Sequence, residues 1–343
     1  MLQILNLRVR ILTLRIEEGL FMLGSLYFWI AVAAFGFCLL VFLTATLVCF
    51  FKIFYSPNRM HVEYPIPSGA IYNVHREAMI AWIDEARMRP HTAVSIRSFD
   101  GLTLRGNYYE YEKGAPIEIL FHGYRGSALR DMSGGIARCF AIGHSALVVD
   151  HRASGESDGH VISFGINESR DCAAWVDFVI REIDRHAQIV LTGISMGAAT
   201  VMIASAMELP PNVVGVLADC GYTSARAIIK QEMRKMHLPA DLMYPFAKLA
   251  ARVFGHFDLD ETSPLKAVQS ARVPIIFFHG DTDDYVPYEM SAENFAACVS
   301  EKRLVKIEGA GHGLCFPVGK ETYVSALRAF FDPITEGKRE TSL

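Results

Sequence analysis

Ile189-Val190-Leu191-Thr192-Gly193-Ile194-Ser195-Met196-Gly197 is the stretch on which the reading of this chain turns. An apolar, strand-like run enters it and a helix-like run, Ala198 to Met207, leaves it, with G-x-S-x-G spacing at the join. A strand-to-helix turn of this kind lifts a serine hydroxyl off the end of a sheet, and flanking glycines remove the Cβ atoms for which so tight a bend has no room. Ser195 is therefore a candidate nucleophile. A five-residue pattern also arises by composition, so the rest of the chain has to supply its partners.

The strands that surround this turn are spaced like those of an α/β protein. Strand-like runs lie at Ala93 to Arg97, Leu102 to Tyr108, Ile117 to Phe121, Ala146 to Asp150, Ile189 to Leu191, Val213 to Ala218, Ile275 to Phe278 and Leu304 to Ile307. Helical stretches, including Met132 to Ala141 and Ser169 to Arg185, separate most of the later ones. Two close strands followed by alternating β and α units predict an antiparallel start and a parallel remainder, and the continuously apolar later strands fit a sheet covered on both faces. More than fifty residues separate Asp219 from Pro274 where a simple crossover needs one helix. A helical cap is expected there, at about 222–270, with Met233, Met236, Leu238, Leu242, Met243, Tyr244, Phe246 and Phe254 as candidates to line an apolar pocket.

Composition sets the outer limits. The 343 residues carry 33 basic and 37 acidic side chains, a net charge of −4 without long runs of either sign, so the electrostatic footprint of a nucleic-acid binder is missing. Hydrophobic residues make up 51% of the chain, and their local source is near the N-terminus. Gly19 to Phe51 contains no charged residue, which predicts one transmembrane helix over 25–52 after an N-terminal segment, 1–24. The apolar run is too long for a signal peptide and lacks a small-x-small cleavage site before Lys52. Arg8, Arg10 and Arg15 before the helix outnumber Lys52 and Arg59 after it, which favours a cytoplasmic N-terminus and an external catalytic domain; a start at Met22 would reverse this. Residues 53–90, with Pro57, Pro65 and Pro67 and then a helical pattern from Ala70 to Arg89, read as linker and leading helix; 91–335 form the main domain and 336–343 a polar, frayed tail. Seven unpatterned cysteines read as buried thiols, and neither metal-ligand spacing nor a phosphate loop is present, so no metal and no cofactor is expected.

A serine hydroxyl needs a base to take its proton, and the base needs a carboxylate to hold its tautomer. Four histidines follow Ser195: His237, His256, His279 and His312. His312 lies in Gly309-Ala310-Gly311-His312-Gly313, directly after the last strand, where a glycine-rich loop can hold an imidazole over the sheet edge. For the acid, Asp281, Asp283 and Asp284 compete in the segment after the preceding strand, with Asp219 at the end of an earlier one.

Six motifs in this order resemble the α/β-hydrolase superfamily over about residues 90 to 333, and in detail the membrane-anchored bacterial members described as serine aminopeptidase-like or esterase-like. The carrying residues are the His122-Gly123-Tyr124-Arg125-Gly126-Ser127 run, Asp150-His151-Arg152 with Gly155-Glu156-Ser157, Gly193 to Gly197, Asp219 to Ser224, His279-Gly280-Asp281-Thr282-Asp283-Asp284-Tyr285-Val286-Pro287, and Gly309 to His312. The resemblance implies the order Ser195, acid, His312, and puts Asp283 in the acidic place of H-G-x-x-D-x-x-V-P, leaving Asp281 and Asp284 as turn residues. It implies an oxyanion hole from the backbone N–H groups of Met196 and Tyr124, with His122 bracing the loop. Asp150, Arg152 and Ser157 fall in a structural loop, and His151 stands where many relatives have an aromatic residue.

The expected fold is thus an α/β-hydrolase, a mostly parallel sheet covered by helices with a helical cap, behind one transmembrane helix. The expected activity is hydrolysis of a carboxylic ester with an apolar acyl group, because the cap is rich in methionine and phenylalanine and the anchor lies beside lipid. A serine peptidase releasing N-terminal residues is the alternative, with Glu232, Asp241, Asp258 and Asp260 as candidate sites for the substrate ammonium. A catalytically silent, membrane-tethered binding module is the third reading. The expected partners are a small-molecule ester or short peptide and the membrane, with no nucleic acid.

Overall fold

The structure, a computed structural model, describes residues 1–57 and 63–340, which fall into two units, Met1–Cys49 and Phe50–Leu343. The first is a single helix, α1 (Leu2–Cys49). At 1.5 Å per residue its 48 residues extend about 72 Å, well beyond the ~30 Å hydrocarbon thickness of a bilayer. It is one helix long and apolar enough to cross a membrane. The helix runs through the expected segment 1–24 as well as most of the expected span 25–52: leucine and arginine favour helix through the first turns, so it is continuous from residue 2. Its last three expected residues belong instead to a π-helical turn, Phe50–Phe54, of the second unit.

The second unit is built on an eight-stranded sheet: β1 (Thr92–Arg97), β2 (Thr103–Tyr109), β3 (Ile117–Phe121), β4 (Ser145–Val149), β5 (Ile189–Ile194), β6 (Val213–Asp219), β7 (Ile275–Gly280) and β8 (Lys302–Ile307). The spatial order is β1-β2-β4-β3-β5-β6-β7-β8; β2 pairs antiparallel with β1 and β4, and every later pair is parallel. The strands β3, β4, β6 and β7 are buried at every residue, as a sheet covered on both faces requires.

Two short helices, α2 (Ala70–Asn73) and α3 (Arg76–Met88), precede the sheet, divided by a turn in which His75 N–H donates to Tyr72 O; one continuous helix was expected. The covering helices are α4 (Ala128–Ala141), α5 (Ile166–Phe178) and α6 (Met196–Ala204). Between β6 and β7 stand α7 (Ala225–Lys235), α8 (Ala240–Val253) and α9 (Pro264–Val268), in the segment expected to form a cap. The chain closes with α10 (Tyr288–Ala297), α11 (Cys315–Val318) and α12 (Lys320–Glu340). Helix α12 runs into the stretch expected to fray. Trp175, Val176, Val201 and Met202 pack one face of the sheet; Tyr323, Leu327 and Phe331, with Met132 and Ile136, pack the other.

Residues 55 and 56, expected as linker, are tied down: Tyr55 bridges to Val161 and Ser56 N–H donates to His160 O (2.9 Å). Arg59, used in the charge count, and residues 341–343 of the tail lie outside the described residues. All seven cysteines are free thiols, and Cys139, Cys172, Cys220, Cys298 and Cys315 are buried.

Candidate active site

Parallel register brings the C-terminal ends of the central strands level. Phe121 of β3 pairs with Gly193 of β5, Ile194 with Asp219 of β6, and Asp219 with Phe278 of β7. Ser195 follows β5 immediately and takes φ 57°, ψ −112°, a left-handed backbone that a non-glycine residue adopts only where its surroundings impose it. Its N–H is held by Asp219 O (2.8 Å), and its carbonyl accepts from Ala199 N–H as α6 begins. The glycines are required by contact. A Cβ on Gly193 would sit 2.1 Å from the carbonyl carbon and oxygen of Gly197, and one on Gly197 would sit 2.0 Å from Phe121 O.

The His312 loop approaches from the end of β8. His312 Nε2 lies 2.9 Å from Ser195 Oγ and Nδ1 lies 2.7 Å from Asp283 Oδ2. Asp283 is buried at 8% exposure, yet its carboxylate is fully engaged: Oδ1 accepts from the N–H groups of Tyr285 (2.9 Å) and Val286 (2.8 Å), and Oδ2 faces His279 Nε2 at 3.2 Å besides His312. Burial pushes its pKa up, but the hydrogen bonds from His279 and His312 outweigh that and hold it well below the usual carboxylate range. Asp283 is thus ionised beside the His312 imidazole. Tyr285 packs its ring 4.9 Å from that of His312, and Tyr72 Oη donates to His312 O (3.0 Å).

The loop after β3 lies against the serine: a Cβ on Gly123 would be 3.5 Å from Ser195 Cβ. Within it the Gly123 N–H is taken by Asp131 Oδ2 (3.0 Å) and the Gly126 N–H by Gly123 O (3.1 Å). Met196 opens α6, where the first backbone N–H groups of a helix have no intrahelical acceptor. His122 is buried, with Nδ1 2.8 Å from Gly123 O and Nε2 accepting from His151 N–H (3.0 Å); it ties two loops together, and burial pushes its pKa down. His151 stacks on Phe121 with ring centroids 5.4 Å apart, filling an aromatic's place.

Other candidates are elsewhere. Asp281 accepts from Gly309 N–H (2.7 Å), joining the two loops that carry the acid and the histidine, and Asp284 is exposed. Asp219 is buried but bonded to Tyr323 Oη (3.0 Å), and burial raises its pKa. His279 is committed to Ser291 Oγ (2.6 Å) and Val286 O (2.8 Å). Of the residues expected to line a pocket from the cap, Met233 and Tyr244 are buried, whereas Met236, Leu238, Leu242 and Phe254 are exposed. That is a correction: Leu242 is turned outward because the inward face of α8 is filled by Tyr244, Ala247 and Ala250, while Met236 caps the C-terminal end of α7 and Leu238 lies in the turn between the two helices. Cys220 Sγ, an Asp283 oxygen and a His312 nitrogen lie within 4.8 Å of one another, a spacing that would admit a metal ion. The chemistry fits poorly. Burial, together with the Asp219 and Asp283 carboxylates, pushes the Cys220 thiol well above its ordinary pKa, so it is a poor source of thiolate.

Two features escaped the sequence. His279 supports Asp283 from behind, and the loop after β3 grips the π-helical turn: Tyr124 Oη donates to Ile53 O (2.7 Å) and the Arg125 guanidinium to the carbonyls of Lys52 and Tyr55 (3.0 Å each). No spacing signal links positions 53 and 124.

The model of the prolyl oligopeptidase family matches residues 163–337, just over half of the chain. Among solved structures the chain is similar to the Pyrococcus furiosus esterase Pf2001, with a TM-score of 0.60 and 22% identity over 73% of this chain and 93% of that one. It is also similar to the α/β-hydrolase GrgF from Penicillium, with a TM-score of 0.56 and 19% identity over 72% and 99%. The uncharacterised Bacillus subtilis protein YqkD is 24% identical over 247 residues, 71% of this chain and 80% of its own. With a mostly parallel sheet, a strained serine at the end of its fifth strand and this family match, the chain belongs to the prolyl oligopeptidase family and is a hydrolase of α/β fold.

Proposed function

We propose that the protein is a serine hydrolase that cleaves a carboxylic ester with an apolar acyl group by two-step acyl transfer. The observation that carries the reading is the unbroken line from Ser195 Oγ through His312 to Asp283, at 2.9 and 2.7 Å. Ser195 Oγ attacks the ester carbonyl as His312 Nε2 takes its proton; Asp283 fixes the tautomer and stabilises the imidazolium. The N–H groups of Met196 and Tyr124 receive the developing oxyanion, an alignment favoured by the engagement of Gly123 and Gly126 N–H elsewhere. His312 returns its proton to the leaving alkoxide, and water, activated by the same imidazole, releases the acid.

The family match favours peptide hydrolysis as a second reading. Against it, three of the four carboxylates considered for a substrate ammonium are occupied: Asp241 by Lys230 (2.7 Å), Asp258 by Arg252, and Asp260 by Arg226 (2.7 Å) and Lys248. The fourth, Glu232, sits 3.2 Å from Lys235. The ester reading is supported by the engagement of Asp241, Asp258 and Asp260 by cations and by the fold shared with a protein named as an esterase. We further propose that α1 is a single transmembrane span, with Arg8, Arg10 and Arg15 on the cytoplasmic side and the catalytic unit outside.

A fluorophosphonate probe is expected to label the full chain and not the Ser195→Ala variant; a folded, unlabelled wild-type protein would refute the hydrolytic role of Ser195. Short p-nitrophenyl esters are expected to turn over faster than aminoacyl-p-nitroanilides, and the reverse order would establish the peptidase reading instead.

A further inference from the structure

Helix α8 is apolar on two sides. Its inward side, Tyr244, Ala247, Ala250 and Ala251, is buried. Leu242, Phe246, Leu249 and Val253 recur at i, i+4, i+7 and i+11 and so share about 60° of arc over roughly 16 Å of helix. Leu242 is 66% and Val253 49% exposed, with Phe246 and Leu249 half-buried between them. Phe254, at the end of the stripe, packs its ring 5.4 Å from that of Phe50. Phe50 is the residue after Cys49, the last of the apolar helix. The stripe therefore starts where the catalytic unit is joined to that helix, and Phe51, 49% exposed, adds an aromatic ring at the junction.

We infer that the outward face of α8 lies on the lipid surface of the membrane that α1 enters, so that the cap rests in the interfacial layer. The inference rests on the reading of α1 as a transmembrane span. The tether favours lipid over a second copy of the chain, because covalent continuity at residue 50 holds the stripe beside the point of membrane entry at any protein concentration. Charge at the margins of the stripe is neutralised within the cap: Asp241 by Lys230, Lys248 by Asp260 and Arg252 by Asp258. Ion-paired rims cost less to bring to an interface than free charges do. Exposed apolar residues on a helix face of this kind gain free energy on entering the headgroup boundary.

The test uses the full chain in phosphatidylcholine vesicles whose acyl chains carry bromine, a short-range quencher of indole. The unsubstituted chain contributes Trp29 in α1 and Trp82 and Trp175 in the catalytic unit, and a Leu242→Trp variant adds one indole to the stripe. The added emission is expected to fall at least twofold in brominated vesicles and to resist aqueous acrylamide; Val253→Trp, on the same face, is expected to behave likewise. Added emission quenched by acrylamide and untouched by bromine, with Trp29 emission quenched by lipid, overturns the docking while leaving the span intact. Protection from both quenchers identifies a second copy as the occupant and overturns it as well. If Trp29 itself is untouched by brominated lipid, the span fails and the docking inference falls with it.

Discussion

Asp283 and Asp219 stand at the C-terminal ends of neighbouring strands, both are almost wholly buried, and each was a candidate to orient His312. Burial acts on the two alike, pushing the pKa up. What separates them is the count of donors. Asp283 receives two backbone N–H groups and faces two imidazoles, and its pKa ends far below the usual carboxylate range. Asp219 receives the Tyr323 hydroxyl on Oδ2 while Oδ1, among the described residues, has no partner; the Tyr323 hydroxyl and the Cys315 thiol offset the burial only in part, and its pKa stays raised. A position at a strand end makes a carboxylate available. Converging donors make it an anion, and only an anion can stabilise an imidazolium.

The largest effect expected from this contrast is on turnover. Asp283→Asn keeps the shape but presents a neutral amide to His312 Nδ1, so the imidazole loses both its counter-ion and its enforced tautomer. A fall in kcat of about 10³- to 10⁴-fold is expected, with KM changed far less. Ester hydrolysis by the purified variant checks it. A loss below tenfold would move the acid to Asp219 and break the comparison.

Glu118 extends the contrast into the sheet itself. It is the charged residue of β3, 1% exposed, with Arg138 on both carboxylate oxygens (3.0 and 2.6 Å), His144 Nδ1 at 2.9 Å and Thr192 Oγ1 at 2.6 Å. Burial raises its pKa and the Arg138 charge more than reverses that. Glu118→Gln leaves a buried guanidinium without its counter-charge, at a cost of about 3–5 kcal/mol. For a domain of this size that lowers Tm by roughly 10 °C, while turnover per folded molecule is expected to hold because Glu118 touches none of the reacting groups. A thermal melt beside an active-site titration separates the two readouts.

These carboxylates also mark how far the sequence can be read. Ser195 and His312 are legible because each sits in a short glycine-bearing loop at the end of an apolar strand, and local backbone demands write themselves into local residues. The choice of acid is less so. Two of the donors that favour Asp283 are its own near neighbours at 285 and 286, but the imidazoles come from 279 and 312, and the isolation of Asp219 becomes visible only when α12 is folded against β6. The Glu118–Arg138 pair gives a partial signal, a lone charge inside an apolar strand, without naming its partner. In the cap, composition shows that Leu242 is apolar; which way it faces depends on how α8 is seated, and the face rich in alanine is the one that packs.

The smallest expected effect is the most discriminating. A carboxyl group whose pKa is raised by folding contributes most in its protonated form, below the unfolded value near 3.9, and that contribution is lost as pH rises towards the folded value, leaving a net cost at neutral pH and above. Asp219→Asn keeps an oxygen for the Tyr323 hydroxyl and removes the titration, so it is expected to raise Tm by a few degrees at pH 8 and by less at pH 5. Turnover is expected to stay within about threefold of the wild type, since Asp219 holds the Ser195 N–H through its backbone carbonyl and not its side chain. Asp283 has the opposite sign: its lowered pKa stabilises the fold above the unfolded value and the gain is lost as pH falls, so Asp283→Asn lowers Tm at pH 8 and converges on the wild type in acid. Melting both variants at pH 8 and on down to about pH 2 gives Tm differences of opposite sign at pH 8 if donor count sets the ionisation of these buried acids, the Asp283 difference closing only below about pH 4, and differences of the same sign if burial alone does.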